Sequence, residues 1–164
     1  AAEKYDLDYG YLMALLMLEC SGKKPAGARF EPNVFRRLKQ VRDGKGTNYE
    51  NVTAAHLADA SDDALRNLAT SWGPFQLMGY KCILLDVNIR DIRGTNGVEH
   101  GADWINQTYG SAMRKGRFRD CFHMHNTGQP YPRTGLPRTH DPQYVPRGMS
   151  MMTQFATPTA QATP

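Results

Sequence analysis

The chain is poor in the features that announce most chemistries. Its 164 residues include only three cysteines, Cys20, Cys82 and Cys121, which form neither a disulfide framework nor a zinc knuckle. An odd count leaves at least one thiol free, and a single Cys82–Cys121 bond stays open for an exported chain. No apolar run reaches the length of a membrane span. There is no dense Lys/Arg run: 20 basic and 16 acidic residues give a net charge of +4 and a pI of about 9.0. That mild bias suits an anionic polymer, but scattered cations argue against nucleic acid as the partner. G-x-S-x-G, P-loop and dinucleotide fingerprints are absent, so those chemistries lack support and no cofactor is expected. Sustained period-2 alternation and internal repeats are missing too, which predicts little or no sheet.

What remains is a mainly α chain, long enough for one domain with a real core. A first helix is expected from about Asp8 to Cys20, stopped at Gly22, followed by an irregular loop, Ser21 to Ala28. Residues 12–18 are apolar enough for a signal-peptide core, but Asp6 and Asp8 precede them and no cleavage-like site follows. Pro32 to Val41 reads as an amphipathic helix with Val34, Phe35, Leu38 and Val41 inward and Arg36, Arg37 and Lys39 outward. Short helices are expected at Thr53 to Ala58, from Ser61 as cap, and around Cys82 to Val87. Val98 to Met113 reads as one long helix with Ala102, Ile105, Tyr109 and Met113 inward, and Arg117 to His125 as the last helix. Seven of the ten prolines lie from Pro130 onward. A proline-rich loop region with little helix is therefore expected over 130–147. The domain is taken as 1–152, and 153–164 as a disordered, linker-like tail.

Cys121-x-His123-x-His125 invites a metal reading. On a helix Cys121 and His125 share a face while His123 points away, and no fixed partner pair lies elsewhere, so no metal site is expected.

The strongest chemical signal is Leu12-Met13-Ala14-Leu15-Leu16-Met17-Leu18-Glu19. On a helix Glu19 shares a face with Leu12, Leu15 and Leu16. Apolar neighbours and the negative end of the helix dipole both disfavour its ionised form. A carboxyl held neutral near pH 7 is what general-acid cleavage of a glycoside requires. The competing reading is a helix-end Glu rotated into solvent.

Three further segments stand in a telling order: Phe30-Glu31-Pro32-Asn33-Val34-Phe35, Ser71-Trp72-Gly73-Pro74-Phe75-Gln76-Leu77-Met78-Gly79-Tyr80, and His125-Asn126-Thr127-Gly128. With Glu19 they resemble the lysozyme-like superfamily of peptidoglycan-cleaving enzymes, and most closely its bacterial and phage N-acetylmuramidase family, over roughly residues 10 to 130. The matched patterns are a catalytic Glu closing a helix, F-E-x-x-x-F, S-W-G-x-F-Q-x-M-G and Y-N-x-G. The resemblance implies a lysozyme-like helical fold and cleavage of the β-1,4 bond between N-acetylmuramic acid and N-acetylglucosamine. Glu19 would be the acid and Glu31 the second carboxylate. Ser71, Gln76, Met78, Tyr80, His125 and Asn126 would line the sugar groove, with Phe75 in the core.

Two departures matter: His125 replaces the Tyr of Y-N-x-G, and Cys20 replaces the Ser that often follows the Glu. Bland alternatives stand beside each residue. Glu31 precedes a helix start, where negative charge is favourable anyway. Asn126 suits a turn, and the aromatics suit a core. Asp86, Asp91 and Asp103 are weaker carboxylate candidates. The implied setting is a monomer acting on glycan strands of the wall, periplasmic, secreted or phage-associated as in an endolysin. Rival readings are a lytic transglycosylase, a chitinase-like enzyme and a non-catalytic wall-binding or phage-tail module.

Overall fold

The computed structural model describes residues 1–155. Helix takes up 57% of them and strand 7%, so the fold is mainly α with small sheets. In chain order the elements are α1 (Ala2–Tyr5), α2 (Tyr9–Cys20), β1 (Arg29–Phe30), α3 (Pro32–Arg42), β2 (Asn48–Tyr49), β3 (Val52–Thr53), α4 (Ala54–Leu57) and α5 (Asp62–Leu68). They continue with β4 (Thr70–Trp72), β5 (Leu77–Met78), α6 (Lys81–Leu85), α7 (Ile89–Arg93) and α8 (Gly97–Ile105). A π-helical turn (Asn106–Gly110), α9 (Ser111–Arg114), α10 (Phe118–Thr127) and α11 (Tyr144–Phe155) complete the chain. No helix among the described residues is long and apolar enough to cross a membrane.

These residues gather into two compact units, Ala1–Ser21 with the chain from Ala102 on, and Gly22–Gly101. No linker in the sequence marks the division.

In the first unit α2 starts where local chemistry says it should. The Asp8 carboxylate accepts the Tyr11 N–H at 2.7 Å, satisfying one of the helix's orphan donors. The end differs from expectation. The left-handed cap is Ser21 (φ 52), not Gly22, and its N–H bonds Met17 O at 3.1 Å. A left-handed backbone costs a non-glycine residue about 1–2 kcal/mol, which is why the sequence points to glycine for the stop. Tyr11, Ala14 and Leu15 are fully buried. The Tyr11 ring packs on Phe122 of α10 with centroids 4.4 Å apart.

The helix expected over Val98 to Met113 is instead three pieces. The π-helical turn separates α8 from α9, and Tyr109 within it leaves helical geometry (φ −141, ψ 15). The four residues expected to face inward, Ala102, Ile105, Tyr109 and Met113, are nevertheless all buried, so the inward face persists across the break in the helix.

The larger correction is α11. The proline-rich stretch is loop only to Gln143, and then twelve residues form a helix that packs along α2 and touches α10. Pro146 does not prevent it: as the third residue, its missing N–H is one of the four that no helix satisfies internally. Gly148 is the contact point, since a Cβ there would stand 2.8 Å from Phe122 and 3.0 Å from Leu18. Thr153–Phe155, assigned to the tail from sequence, belong to this helix, and the rest of the tail, 156–164, lies outside the described residues.

The second unit follows its sequence pattern closely. Pro32 occupies the first turn of α3. Leu38 and Val41 are buried with Val52, Leu57, Leu65, Ala69 and Tyr80, and Val34 and Phe35 pack against them. Ser61 caps α5, its hydroxyl accepting the Ala64 N–H at 3.1 Å. Thr53 and His56 form a capping box at α4. The strands build an antiparallel sheet in the order β1-β4-β5, with Ser71 opposite Arg29 on one side and Met78 on the other. A separate β2–β3 hairpin pairs Asn48 with Thr53.

All three cysteines are free thiols. Burial pushes Cys82 up to about 11 and Cys121 up to about 12, so both stay protonated at neutral pH.

Candidate functional site

Glu19 is turned inward. Its side chain is 16% exposed at the last turn of α2, which decides against the solvent-rotated reading. The inward turn follows from the apolar stripe: Leu12 and Leu15 are buried on the same face, and Glu19 is carried with them. The Tyr144 hydroxyl, from the first residue of α11, donates to Glu19 Oε1. His125, on the last turn of α10 and 5% exposed, places Nε2 3.8 Å from the same oxygen. On its other side His125 Nδ1 lies 2.8 Å from the Tyr109 hydroxyl, and the Tyr11 hydroxyl donates to Tyr109 at 3.2 Å.

Proton positions follow from this order. The Tyr109 oxygen accepts from Tyr11, so its own hydrogen is directed to His125 Nδ1. A neutral imidazole then carries its proton on Nε2, on the side of Glu19. Burial raises Tyr11 and Tyr109 well above the usual phenol range; the proximity of Tyr109 adds to the first. Tyr144 is raised by burial and then by the Glu19 carboxylate. The three phenols stay protonated at neutral pH and act as hydroxyl donors within the cluster that holds the Glu19 carboxyl and the His125 imidazole.

Of the residues singled out in sequence, the structure brings Glu19 and His125 together. Asn126 follows His125 in α10 and is exposed. The others belong to the second unit. Ser71 Oγ lies 3.0 Å from Gln76 Oε1, and Gln76 Nε2 donates to Gly27 O at 2.7 Å and Gly73 O at 3.0 Å. The Gln76 amide is thus spent on fastening its own turn at Gly73 to the loop before β1 at Gly27. Glu31 precedes α3 as its cap residue and pairs with Arg29 at 2.7 Å, as its helix-start reading anticipated.

Tyr80, read as a groove residue, is corrected. It is a core residue, 6% exposed, in edge contact with Tyr49. Its hydroxyl finds a partner inside, which lets a phenol be buried. Met78 packs against the same core, and Phe75 is buried as expected.

The Cys121/His123/His125 trio does not converge. His123 is fully buried, with Nδ1 2.7 Å from Gln129 O and Nε2 accepting the Arg138 N–H at 3.0 Å. No cluster of metal-ligating side chains forms among the described residues.

Sequence reasoning missed Tyr144, Tyr109 and Tyr11 as parts of the site. Tyr109 was legible as an inward residue, but its hydrogen bond to His125 depends on the π-helical turn. Compared with protein-family models, with curated proteins and with solved structures, the chain matches none.

Proposed function

We propose that the chain cleaves the β-1,4 bond between N-acetylmuramic acid and N-acetylglucosamine in peptidoglycan, with Glu19 as the general acid. The observation that carries this is the clasped carboxyl. Glu19 is nearly buried, receives the Tyr144 hydroxyl at Oε1 and faces an imidazole across the same oxygen. A carboxylic acid that accepts at Oε1 carries its own proton on Oε2, so the hydrogen bond selects which oxygen delivers the proton. The resemblance of the four segments to N-acetylmuramidases points to the same residue and supplies the substrate.

In this mechanism Glu19 protonates the leaving glycosidic oxygen as the C1–O bond breaks and positive charge builds on the muramyl ring. An inverting route needs a second carboxylate to activate water on the opposite face, the role that the resemblance gives to Glu31.

Mass analysis of products from purified peptidoglycan tests the reading. Soluble muropeptides with ordinary reducing ends are expected. Release of none, from folded protein, overturns it. A second reading, lytic transglycosylation by the muramyl 6-hydroxyl, is favoured by the Arg29–Glu31 ion pair. A carboxylate paired with a guanidinium is a weaker base, and transglycosylation needs only Glu19. Products lighter by one water would select it.

Tyr144→Phe removes the clasp while keeping the ring. A lost hydrogen bond between neutral partners is worth about 0.5–1.5 kcal/mol, so kcat/KM is expected to fall roughly two- to tenfold. Unchanged kinetics would reduce Tyr144 to packing.

A further inference from the structure

One face of α3 is not used by the reading above. It carries four cations within seven residues, Arg36, Arg37, Lys39 and Arg42, and they divide into two pairs. Lys39 bridges to Asp62 at 2.6 Å, and Arg42 to Asp43 at 2.9 Å and Asp62 at 2.8 Å. Among the described residues Arg36 and Arg37 are in no ion pair. Arg36 donates to Asn33, and the Arg37 guanidinium lies 5.8 Å from the centre of the Tyr49 ring.

Both line a cavity of about 530 Å³, within the size range of small-ligand sites. Its wall also holds three carboxamides, Asn33, Gln40 and Asn48. Val41 and Tyr49 supply apolar surface, and Gly46 leaves room beside Val41.

The donor set specifies the ligand. Two guanidiniums without acidic partners suit an oxyanion, which each can meet with two parallel N–H bonds. The carboxamides distinguish what the anion is attached to. Each offers a donor and an acceptor, matching the C=O and N–H of peptide groups. A phosphodiester chain offers acceptors alone and is served better by further cations. We infer that this cavity binds a carboxylate-bearing peptide. On the proposed function, on which this identification of the source rests, it is the acidic peptide stem of the wall polymer.

The test uses the full chain and N-acetylmuramoyl-L-alanyl-D-glutamate, which has no glycosidic bond to cut. Calorimetric titration with the free acid, with its carboxamide form and with inorganic phosphate separates the possibilities. The acid is expected to bind at least about tenfold more tightly than the carboxamide, as for one lost charge-assisted hydrogen-bonded pair. Phosphate is expected to compete poorly. Arg36→Gln with Arg37→Gln should abolish the preference. Gly46→Leu, which fills the cavity and keeps both charges, should weaken binding of the acid. Gly46 has no left-handed backbone, and the only atom near an added Cβ is Val41 Cγ2 at 3.8 Å, so that variant keeps the fold.

Equal binding of acid and carboxamide, wild-type affinity in the arginine variant, or phosphate binding as tightly as the peptide would each overturn the inference. The two readings fail separately. Protein that binds this ligand but releases no fragments from the wall refutes the cleavage reading and keeps the site. Protein that cleaves the wall but shows no preference for the acid refutes the site alone.

Discussion

Glu19→Gln is expected to fold like the parent chain and to release no detectable muropeptides. The amide keeps the shape of the side chain and still accepts the Tyr144 hydroxyl at the oxygen corresponding to Oε1. Exchanging the neutral carboxyl for a neutral amide at this acceptor costs less than about 1 kcal/mol of stability, a shift of at most a few degrees in Tm for a chain of this size. What the amide lacks is an acidic proton. General-acid catalysis contributes about 10²–10⁴ in rate, and a glycosidic oxygen is a poor leaving group without it. The measurement is release of soluble fragments from purified peptidoglycan, beside a thermal melt. Turnover within about tenfold of the parent would remove Glu19 from the mechanism.

Gly73→Ala carries the largest expected effect on stability. Gly73 has φ +72, and a Cβ there would stand 2.1 Å from the backbone oxygen of Ile92. The left-handed backbone costs an alanine about 1–2 kcal/mol, and forcing a methyl into packed backbone about 1–3 more. Neither term relaxes easily, because the obstacle is main chain. Gly73 O also accepts from the Gln76 N–H and the Gln76 side chain, both at 3.0 Å, so a shift of the turn disturbs the β4–β5 connection. A loss of about 4 kcal/mol is expected, lowering Tm by roughly 10 °C. Gly27→Ala is the control: nothing lies within 4 Å of its added Cβ, and its Tm should not move. Equal melts for the two variants would contradict the described packing of Gly73 on Ile92.

These two predictions draw on different kinds of information. Glu19 was visible as a candidate because its setting is local: an apolar stripe at helical spacing, ending in a carboxylate. The same is true of the Asp8 and Ser61 caps, of the proline that opens α3, and of the Leu38/Val41 face. In each case the deciding partners lie within a few residues, and backbone geometry relates them. Ser71 and Gln76 show the limit of a motif. Their positions were read as facing a groove, yet Gln76 spends its amide on Gly73, three residues back, and on Gly27, a residue 49 positions away that tertiary structure brings near.

By itself, then, the sequence determined a mainly helical chain, most of its helix starts and the inward face of α3, and it placed Glu19 on the apolar stripe of α2 without choosing between core and solvent. Those features arise from periodicity and capping, whose energies are set within one or two turns. Tertiary structure alone decided what Glu19 meets. Tyr144 is 125 residues away, on a helix hidden by a proline that its first turn tolerates. Tyr109 reaches His125 through a π-helical turn that a 3.6-residue pattern does not anticipate. The physical reason is that a buried carboxyl, imidazole and phenol must satisfy one another's hydrogen bonds. Those partners are supplied by packing between helices far apart in the chain, and no local preference encodes them.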